Sequence, residues 1–139
     1  MREILFKAKR IDNGEWVEGY LVETRHNTYH DGYRIIDKDG INYDELDYCE
    51  PSFISYVIDK TTICQCTGLK DKNGNLIWEN DIARYCDCTV ENYVIAWEQD
   101  KACFEYQQYG CSIMNFDELS GMEVEVIGNI FDNPELMNE

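Results

Sequence analysis

The segment that most constrains the fold runs from Gln65 to Ile82, where turn-forming residues are crowded between short apolar runs. Gly68 can adopt a positive φ without the Cβ clash that other residues suffer. Asp71-Lys72-Asn73-Gly74 has the composition of a tight turn, since Asn tolerates the left-handed region and Gly prefers it. Leu76-Ile77-Trp78 then predicts a short buried strand, and Glu79-Asn80-Asp81 a second turn. We interpret this segment as the architectural centre of the chain.

The flanking sequence predicts many short strands joined by tight turns. Ile4 to Ile11 is a strand candidate, and Asp12-Asn13-Gly14 is among the strongest short hairpin signals. Trp16 to Val22 is predicted to return as the second strand of this hairpin. Within it, Gly19 is expected to mark a bulge or the close approach of another backbone.

Further strands are predicted along the rest of the chain, at Tyr33–Ile36, Phe53–Ile58, Thr61–Cys66, Ile82–Val90, Tyr93–Trp97, Ala102–Tyr106 and Met122–Val126. Turns are predicted at Asp37-Lys38-Asp39-Gly40 and at Gly128-Asn129, which we expect to break the last strand. Short helical turns are predicted at Asp44–Asp47, at Phe116–Leu119 and after Asn133-Pro134. This pattern favours a mainly β fold, built as a barrel or a sandwich.

Three stretches of the chain also carry a family resemblance. They are Phe6-Lys7-Ala8; Thr67-Gly68-Leu69-Lys70-Asp71-Lys72-Asn73-Gly74 followed by Ile77, Glu79, Asp81 and Ile82; and Val126 to Leu136. Together they resemble the YopX family of phage and prophage proteins over nearly the whole chain. The family usually has Gly at the position of Asn80 and an aromatic residue at that of Cys66. Since Asn is the commonest non-Gly residue at positive φ, the turn at Asn80 is expected to survive.

The resemblance implies a β-rich fold with an SH3-like small barrel and a phage origin, but no settled activity, so no catalytic residue is carried over. We predict one domain over residues 1–139, with a β-hairpin portion at 1–59 and the barrel within about 60–130, followed by the tail. The motif residues are predicted to be structural: Thr67, Gly68, Leu69, Asp71, Asn73, Gly74, Ile77, Glu79, Asn80, Asp81, Gly128, Asn129 and Pro134.

Charge is the strongest compositional constraint on function, because the formal net charge is −16. Residues 1–60 hold 8 basic and 13 acidic residues, whereas residues 61–139 hold 4 and 15. Such a surface repels nucleic-acid phosphates, since binding them depends on replacing condensed counterions with cationic side chains. We therefore expect no direct nucleic-acid binding. The acidic surface is interpreted either as solubilising or as a polyanion mimic that occupies a basic groove on a partner.

Cysteines and histidines are candidate metal ligands or nucleophiles. Cys64 and Cys66, like Cys86 and Cys88, have one intervening residue. On a strand such side chains lie about 6.6 Å apart, too far for thiolates bound to one zinc at about 2.3 Å without a distorted turn. His26 and His30 lie in a loop-forming context. We predict no metal and no cofactor, with the cysteines as small buried hydrophobes.

Paired carboxylates at Glu79 and Asp81 suit acid–base catalysis when a cleft separates their pKa values. Here the surrounding turn chemistry favours a structural role, in which Asp accepts backbone N–H bonds. An enzyme is therefore the less favoured class of protein, and we predict no catalytic residues.

Location is inferred from two absences in the sequence. The chain has no run of about 18 apolar residues for a membrane span, and its start lacks the pattern of a signal peptide. Seven cysteines without an export signal favour reduced thiols. We expect a cytoplasmic protein that does not bind membranes.

Three functions remain open. Ten tyrosines exceed what one small core can bury, and Tyr is enriched at interfaces, which favours a non-enzymatic module that binds a protein partner or forms a homo-oligomer. The first alternative is an acidic nucleic-acid mimic that inhibits a host DNA- or RNA-binding or defence protein. The second is a small metal-dependent or hydrolytic enzyme, which requires a pocket lined by Cys, His or acidic residues.

Overall fold

Antiparallel strands dominate the computed structural model, which describes residues 3–24, 32–42, 52–85, 91–108, 111–115 and 124–138. The prediction of a mainly β fold with minor helical turns is confirmed. Contacts divide the chain into two units, Glu3–Gln65 and Cys66–Glu139. The prediction of a single domain with portions at 1–59 and 60–139 stays a prediction.

The strands are numbered in chain order. The first unit contains β1 (Phe6–Lys9), β2 (Trp16–Thr24), β3 (Gly32–Asn42), β4 (Ser52–Val57) and the first two residues of β5 (Cys64–Lys70). The second unit contains the rest of β5, β6 (Leu76–Trp78), β7 (Asp81–Tyr85), β8 (Asn92–Glu98), β9 (Cys103–Gln108), β10 (Cys111–Asn115) and β11 (Val124–Asn129). Short 3-10 helices span Lys60–Thr62 and Pro134–Met137.

The first unit is a sheet in the order β4-β3-β2-β1-β5. The predicted hairpin is confirmed: β1 and β2 pair antiparallel, and Gly14 in the turn has φ +71°. The sheet curls, because an isolated bridge joins Arg10, just after β1, to Ile58, just after β4. The Asp59 N–H donates to the Lys9 carbonyl at 2.8 Å in the same contact. This curl brings the turn after β1 against β4.

The core of the first unit forms from alternate strand positions. Ala8, Ile35 and Ile58 are buried, and partly buried apolar side chains pack against them: Phe6, Val17, Leu21, Tyr33 and Ile63. On β2 the exposed Glu18 and Tyr20 interleave with inward-facing residues, as expected when successive side chains point to opposite faces of a strand. A modest aliphatic core therefore supports the curled sheet.

Two local predictions in the first unit are corrected. The turn predicted at Asp37–Gly40 is a bulge inside β3, since the register with β4 shifts between Ile36 and Ile41. The Asp37 carboxylate accepts the Asp39 N–H at 2.8 Å, so the Asx geometry forms without reversing the chain. The strand predicted at Thr61–Cys66 begins only at Cys64, because the preceding residues form the Lys60–Thr62 helix capped by Asp59.

In the second unit, β5 pairs with β6, and five further strands form a sheet in the order β10-β9-β8-β7-β11. Its core holds Ile77, Ala83, Tyr93, Ile95, Phe104, Tyr106 and Val124. Among the strands that the structure describes, this sheet is open, so the barrel predicted within residues 60–130 is not closed there. Strand β10 has no counterpart among the sequence predictions. The predicted break at Gly128-Asn129 is instead a bulge, after which pairing with β7 continues.

Some predictions lie outside the described residues, namely the helical turns at Asp44–Asp47 and Phe116–Leu119, the loop containing His26 and His30, and the pair Cys86 and Cys88. The short tail helix predicted after Asn133-Pro134 is confirmed. In the part of the chain that is described, no helix has the length and apolar character needed to cross a membrane.

Gly19 provides a test of the curled sheet. A Cβ added there would lie 1.9 Å from the Ile36 carbonyl oxygen, which confirms the predicted close approach of another backbone. We expect Gly19→Ala to lower the free energy of unfolding by roughly 1–3 kcal/mol, because backbone must shift to admit the methyl group. The measurement is urea denaturation.

Gly32→Ala is the matched control, because a Cβ there would meet nothing within 4 Å. Its unfolding midpoint should change little. Equal stability of the two variants would contradict the close packing of β2 against β3.

Candidate functional site

The buried carboxylate of Asp71 is the centre of the motif segment. Its side chain accepts three backbone N–H groups, from Asn73 and Asn75 at 2.9 Å each and from Val126 at 3.1 Å. Burial raises the pKa of Asp71, but the backbone hydrogen bonds from Val126, Asn75 and Asn73 outweigh it, so the pKa lies below its ordinary value. Asp71 is therefore an ionised structural acceptor.

The turn around Asp71 is also tied to β11 by its other groups. The Lys72 N–H donates to the Val124 carbonyl at 2.9 Å, and the Lys72 ammonium lies 3.2 Å from the Glu125 carboxylate. The Asn73 amide donates to the same carboxylate at 3.3 Å. Gly74 closes the turn with φ +82°, as predicted. The turn Asp71-Lys72-Asn73-Gly74 is thus joined to β11, a strand that is distant in sequence.

The second turn of the segment depends on Asn80 and Asp81. Asn80 has φ +68°, which confirms that Asn takes the left-handed position expected of Gly. Its N–H donates to the Ile95 carbonyl at 2.7 Å, and its carbonyl accepts the Ile130 N–H at 3.1 Å. The buried Asp81 carboxylate accepts the Trp78 N–H at 2.8 Å. These contacts fix the turn between β6 and β7.

The other motif residues of this segment lie on β5 and β6 or directly beside these strands. Thr67 donates its hydroxyl to the Ile77 carbonyl at 2.7 Å and accepts the Leu69 N–H at 3.2 Å. Ile77 is fully buried, Leu69 is exposed and Glu79 is half-buried beside Asn80. Gly68 has φ +82°, as predicted. It lies where the register between β5 and β6 shifts, between Cys66 and Lys70.

The C-terminal motif forms a second small turn network. A Cβ at Gly128 would lie 2.5 Å from the Asn133 side-chain oxygen, so a larger residue there would displace the Asn133 side chain. The Asn129 side-chain oxygen accepts the N–H groups of Phe131 and Asp132 at 3.0 Å each. Pro134 begins the tail helix, where its fixed φ is suitable. The purely structural role predicted for the motif residues stays a prediction.

The cysteines of the described chain form no ligand cluster. Cys64 and Cys66 are buried on β5, and Cys103 is partly buried at the start of β9. Within the described residues, no group of three or more His, Cys, Asp or Glu side chains has the spacing of a metal site.

The first unit contains a partly open pocket of about 300 Å³ that the sequence analysis missed. Its lining comes from the turn after β1, from β3 and from β4: Arg10, Ile11, Asp12, Arg34, Ser55, Tyr56 and Val57. The Ile11 N–H donates to the Val57 carbonyl at 3.1 Å, which helps bring the turn to β4. The sequence signal for this pocket is the presence of two arginines in an acidic chain. That Arg10 and Arg34 line one pocket depends on the curl of the sheet.

Three charged side chains line this pocket and form hydrogen bonds there. Arg10 donates to both carboxylate oxygens of Asp12, at 2.9 and 2.5 Å, and its guanidinium carbon lies 4.5 Å from the centre of the Tyr56 ring. The hydrogen bond from Arg10 lowers the pKa of Asp12 and raises that of Arg10. Arg34 donates from Nη1 to the Ser55 hydroxyl at 3.3 Å. The pocket thus combines two guanidiniums with one carboxylate.

A sequence model of the family described as "YopX protein" matches residues 5–138. The chain belongs to the YopX family. The resemblance drawn from the motif residues is therefore confirmed, and these residues account for turns that many strand contacts depend on. No curated protein sequence matches the chain.

A solved structure with the same overall fold is the crystal structure of protein EF1440 from Enterococcus faecalis. It superposes with a TM-score of 0.60 at 24% sequence identity, and the match covers 99% of each chain. At this identity the likeness concerns the fold. EF1440 is thus an experimentally determined example of a similar fold.

Acidification tests the Asp71 network. A carboxylate with a lowered pKa stabilises the folded state fully above its unfolded-state pKa, and this contribution is lost as the pH falls through the folded-state pKa. We expect the melting temperature to fall as the pH drops below about 3.8, the ordinary value for this group. Differential scanning calorimetry across pH 2–7, a range chosen to bracket ordinary carboxyl pKa values, measures this.

Asp71→Asn is the comparison variant. It should unfold about 2–4 kcal/mol more easily at neutral pH, because it loses a charged acceptor of backbone N–H groups, and its stability should depend less on acid. An acid dependence identical to that of the unchanged protein would contradict the network.

Asn80 allows a backbone test, because Gly and Ala both remove its side-chain contacts. At φ +68° only Ala suffers the Cβ clash of the left-handed region. We expect Asn80→Ala to be about 1–2 kcal/mol less stable than Asn80→Gly in chemical denaturation. Equal stability of the two variants would show that φ at this position is not constrained.

Proposed function

We propose that this chain is a phage- or prophage-encoded, non-enzymatic module that acts by binding another protein chain. The observation that carries the proposal is the composition of β4, the end strand of the first sheet. Phe53, Ile54 and Val57 on this strand are 53%, 43% and 41% exposed. End strands with large exposed apolar side chains invite pairing with another chain unless they are covered.

The position of these residues supports a protein partner. Phe53 and Ile54 are adjacent in sequence, so their side chains point to opposite faces of the strand, and both are exposed. Ile11 beside Val57 is 66% exposed and extends the apolar surface. We name the surface of Ile11, Phe53, Ile54 and Val57 the β4 patch. A second copy of the chain and a different protein are both compatible with it.

The composition of the pocket favours binding over catalysis. Its lining has two arginines, one aspartate, a serine and a tyrosine beside apolar residues. The aspartate is held by Arg10, and the serine hydroxyl accepts from Arg34. An activated nucleophile requires a base within hydrogen-bond reach, and these contacts suit recognition of a ligand better.

The alternative function, inhibition by mimicry of a polyanion, is supported by the uneven charge of the sequence. Its net charge of −16 concentrates in residues 61–139, which hold 15 acidic and 4 basic residues. The two functions differ in their response to salt. Binding through clustered carboxylates weakens steeply as salt rises, whereas burial of the β4 patch does not.

The experiment compares Phe53→Ser/Ile54→Ser with a control that removes two exposed apolar residues elsewhere, Ile4→Ser/Leu69→Ser. The purified proteins are measured by sedimentation velocity for self-association. In parallel, tagged proteins are captured from infected and uninfected host cells and their bound proteins quantified. We expect association with a second copy or with a specific protein to be lost in the β4 variant and kept in the control, because exposed apolar contacts carry the binding.

Two results would contradict the interaction function. One is a monomer that captures no specific protein from either cell preparation. The other is an association that the β4 variant leaves unchanged. An association abolished by moderate salt but not by the β4 substitutions would favour the polyanion mimic instead.

A further inference from the structure

The pocket of Arg10, Arg34, Ser55 and Tyr56 has the chemistry of a binding site for an anion. Its volume of about 300 Å³ lies at the lower end of the range for ligand pockets. Hydroxyl and guanidinium groups line it from three separate segments, while Ile11 and Val57 supply apolar walls. Small size, convergent donors and apolar walls together suit one charged side chain better than an extended ligand.

Arg34 supplies the donors that a ligand would need. A guanidinium carries five N–H groups, and among the residues that the structure describes the partner of Arg34 is the Ser55 hydroxyl, at 3.3 Å. Arg10 is held in place by its ion pair with Asp12 and by the face of Tyr56. Among the described residues, the pocket therefore has one guanidinium that is held in place and a second that makes one hydrogen bond.

The balance of charge selects the kind of anion. Arg10 and Arg34 against Asp12 leave one net positive charge in a chain whose formal charge is −16. A monoanionic carboxylate neutralises that charge and matches the planar, bidentate geometry of a guanidinium. A dianionic phosphoryl group would instead leave an uncompensated negative charge next to Asp12. The pocket is matched to a carboxylate.

We propose that this pocket binds the side-chain carboxylate of an Asp or Glu in an extended segment of the partner protein. Arg34 is the main hydrogen-bond donor to this carboxylate. The apolar neighbours of the acidic residue contact Ile11 and Val57. A free small acid would leave these walls in water, together with the exposed Phe53 on the same face of β4 as Val57. This inference rests on the proposed protein-binding function and specifies what the partner presents.

NMR titration of the full chain with acetyl-Val-Glu-Val-amide tests the proposal, with acetyl-Val-Gln-Val-amide as the uncharged probe. We expect saturable shifts at Arg34, Ser55 and Tyr56 with the Glu peptide. Affinity for the Gln peptide should be lower by roughly 10- to 100-fold, since hydrogen bonds to a charged group are the strong ones. Acetylglutamate amide and inorganic phosphate serve as further probes, and both should bind more weakly than the Glu peptide.

Arg34→Gln is the decisive variant, and Lys38→Gln is its control, because both remove one positive charge from β3 and Lys38 lies outside the pocket lining. Binding of the Glu peptide should be lost in the first and kept in the second. Arg34→Lys should bind with intermediate affinity, since an ammonium lacks the bidentate geometry.

Three results would overturn the proposal: equal affinity for the Glu and Gln peptides, undiminished binding by Arg34→Gln, or tighter binding of phosphate than of the Glu peptide. Failure of this inference is distinguishable from failure of the proposed function. If partner association still depends on Phe53 and Ile54 while the Glu peptide does not bind, only the carboxylate site is wrong.

Discussion

The hydrogen bonds of the buried Asp71 carboxylate are the contact on which the second unit most depends. A carboxylate removed from water is costly unless donors replace the solvent, and three backbone N–H groups do so here. Two of these donors belong to the turn itself and the third to β11. One side chain therefore fixes the shape of a turn and attaches that turn to a strand that is distant in sequence.

This attachment also has a consequence for the edge of the sheet. β11 is an end strand of the second sheet. Its Val124 carbonyl and Val126 N–H are bonded by Lys72 and Asp71, so the turn occupies groups that another chain would otherwise pair with. In the first sheet, β4 is also an end strand, but there the exposed residues are Phe53, Ile54 and Val57. The contrast supports β4 as the attachment site in the proposed protein-binding function.

Local backbone chemistry explains which features could be predicted from sequence. The hairpin at Gly14, the positive φ of Gly68 and the left-handed Asn80 each depend on one or two residues whose conformational preferences are strong. The Asp37–Gly40 segment has the same composition, yet it bulges within β3 because β4 pairs on both sides of it. Turn propensity does not by itself specify whether the chain reverses, since strand pairing decides between the two outcomes.

The pocket could not be predicted, for a related reason. Arg10 follows the first strand and Arg34 lies within the third, and they line one pocket because the sheet curls until Arg10 bridges to Ile58. No local pattern encodes that curl. The sequence predicts Asp12 only as part of a turn, whereas in the structure Asp12 also pairs with the Arg10 guanidinium that lies over Tyr56.

The formal charge of the whole chain and that of the residues lining the pocket have opposite signs. At physiological salt the screening length is about 8 Å, so the attraction of the net positive pocket is felt only near contact. A polyanion would bring many phosphates near a chain whose formal net charge is −16, and the repulsion grows with each one. A single carboxylate flanked by apolar residues brings one charge and gains burial against Ile11 and Val57. In the proposed mode of binding, the acidic surface therefore selects among anionic partners by rejecting those with dense charge, while the pocket retains those with one isolated acid.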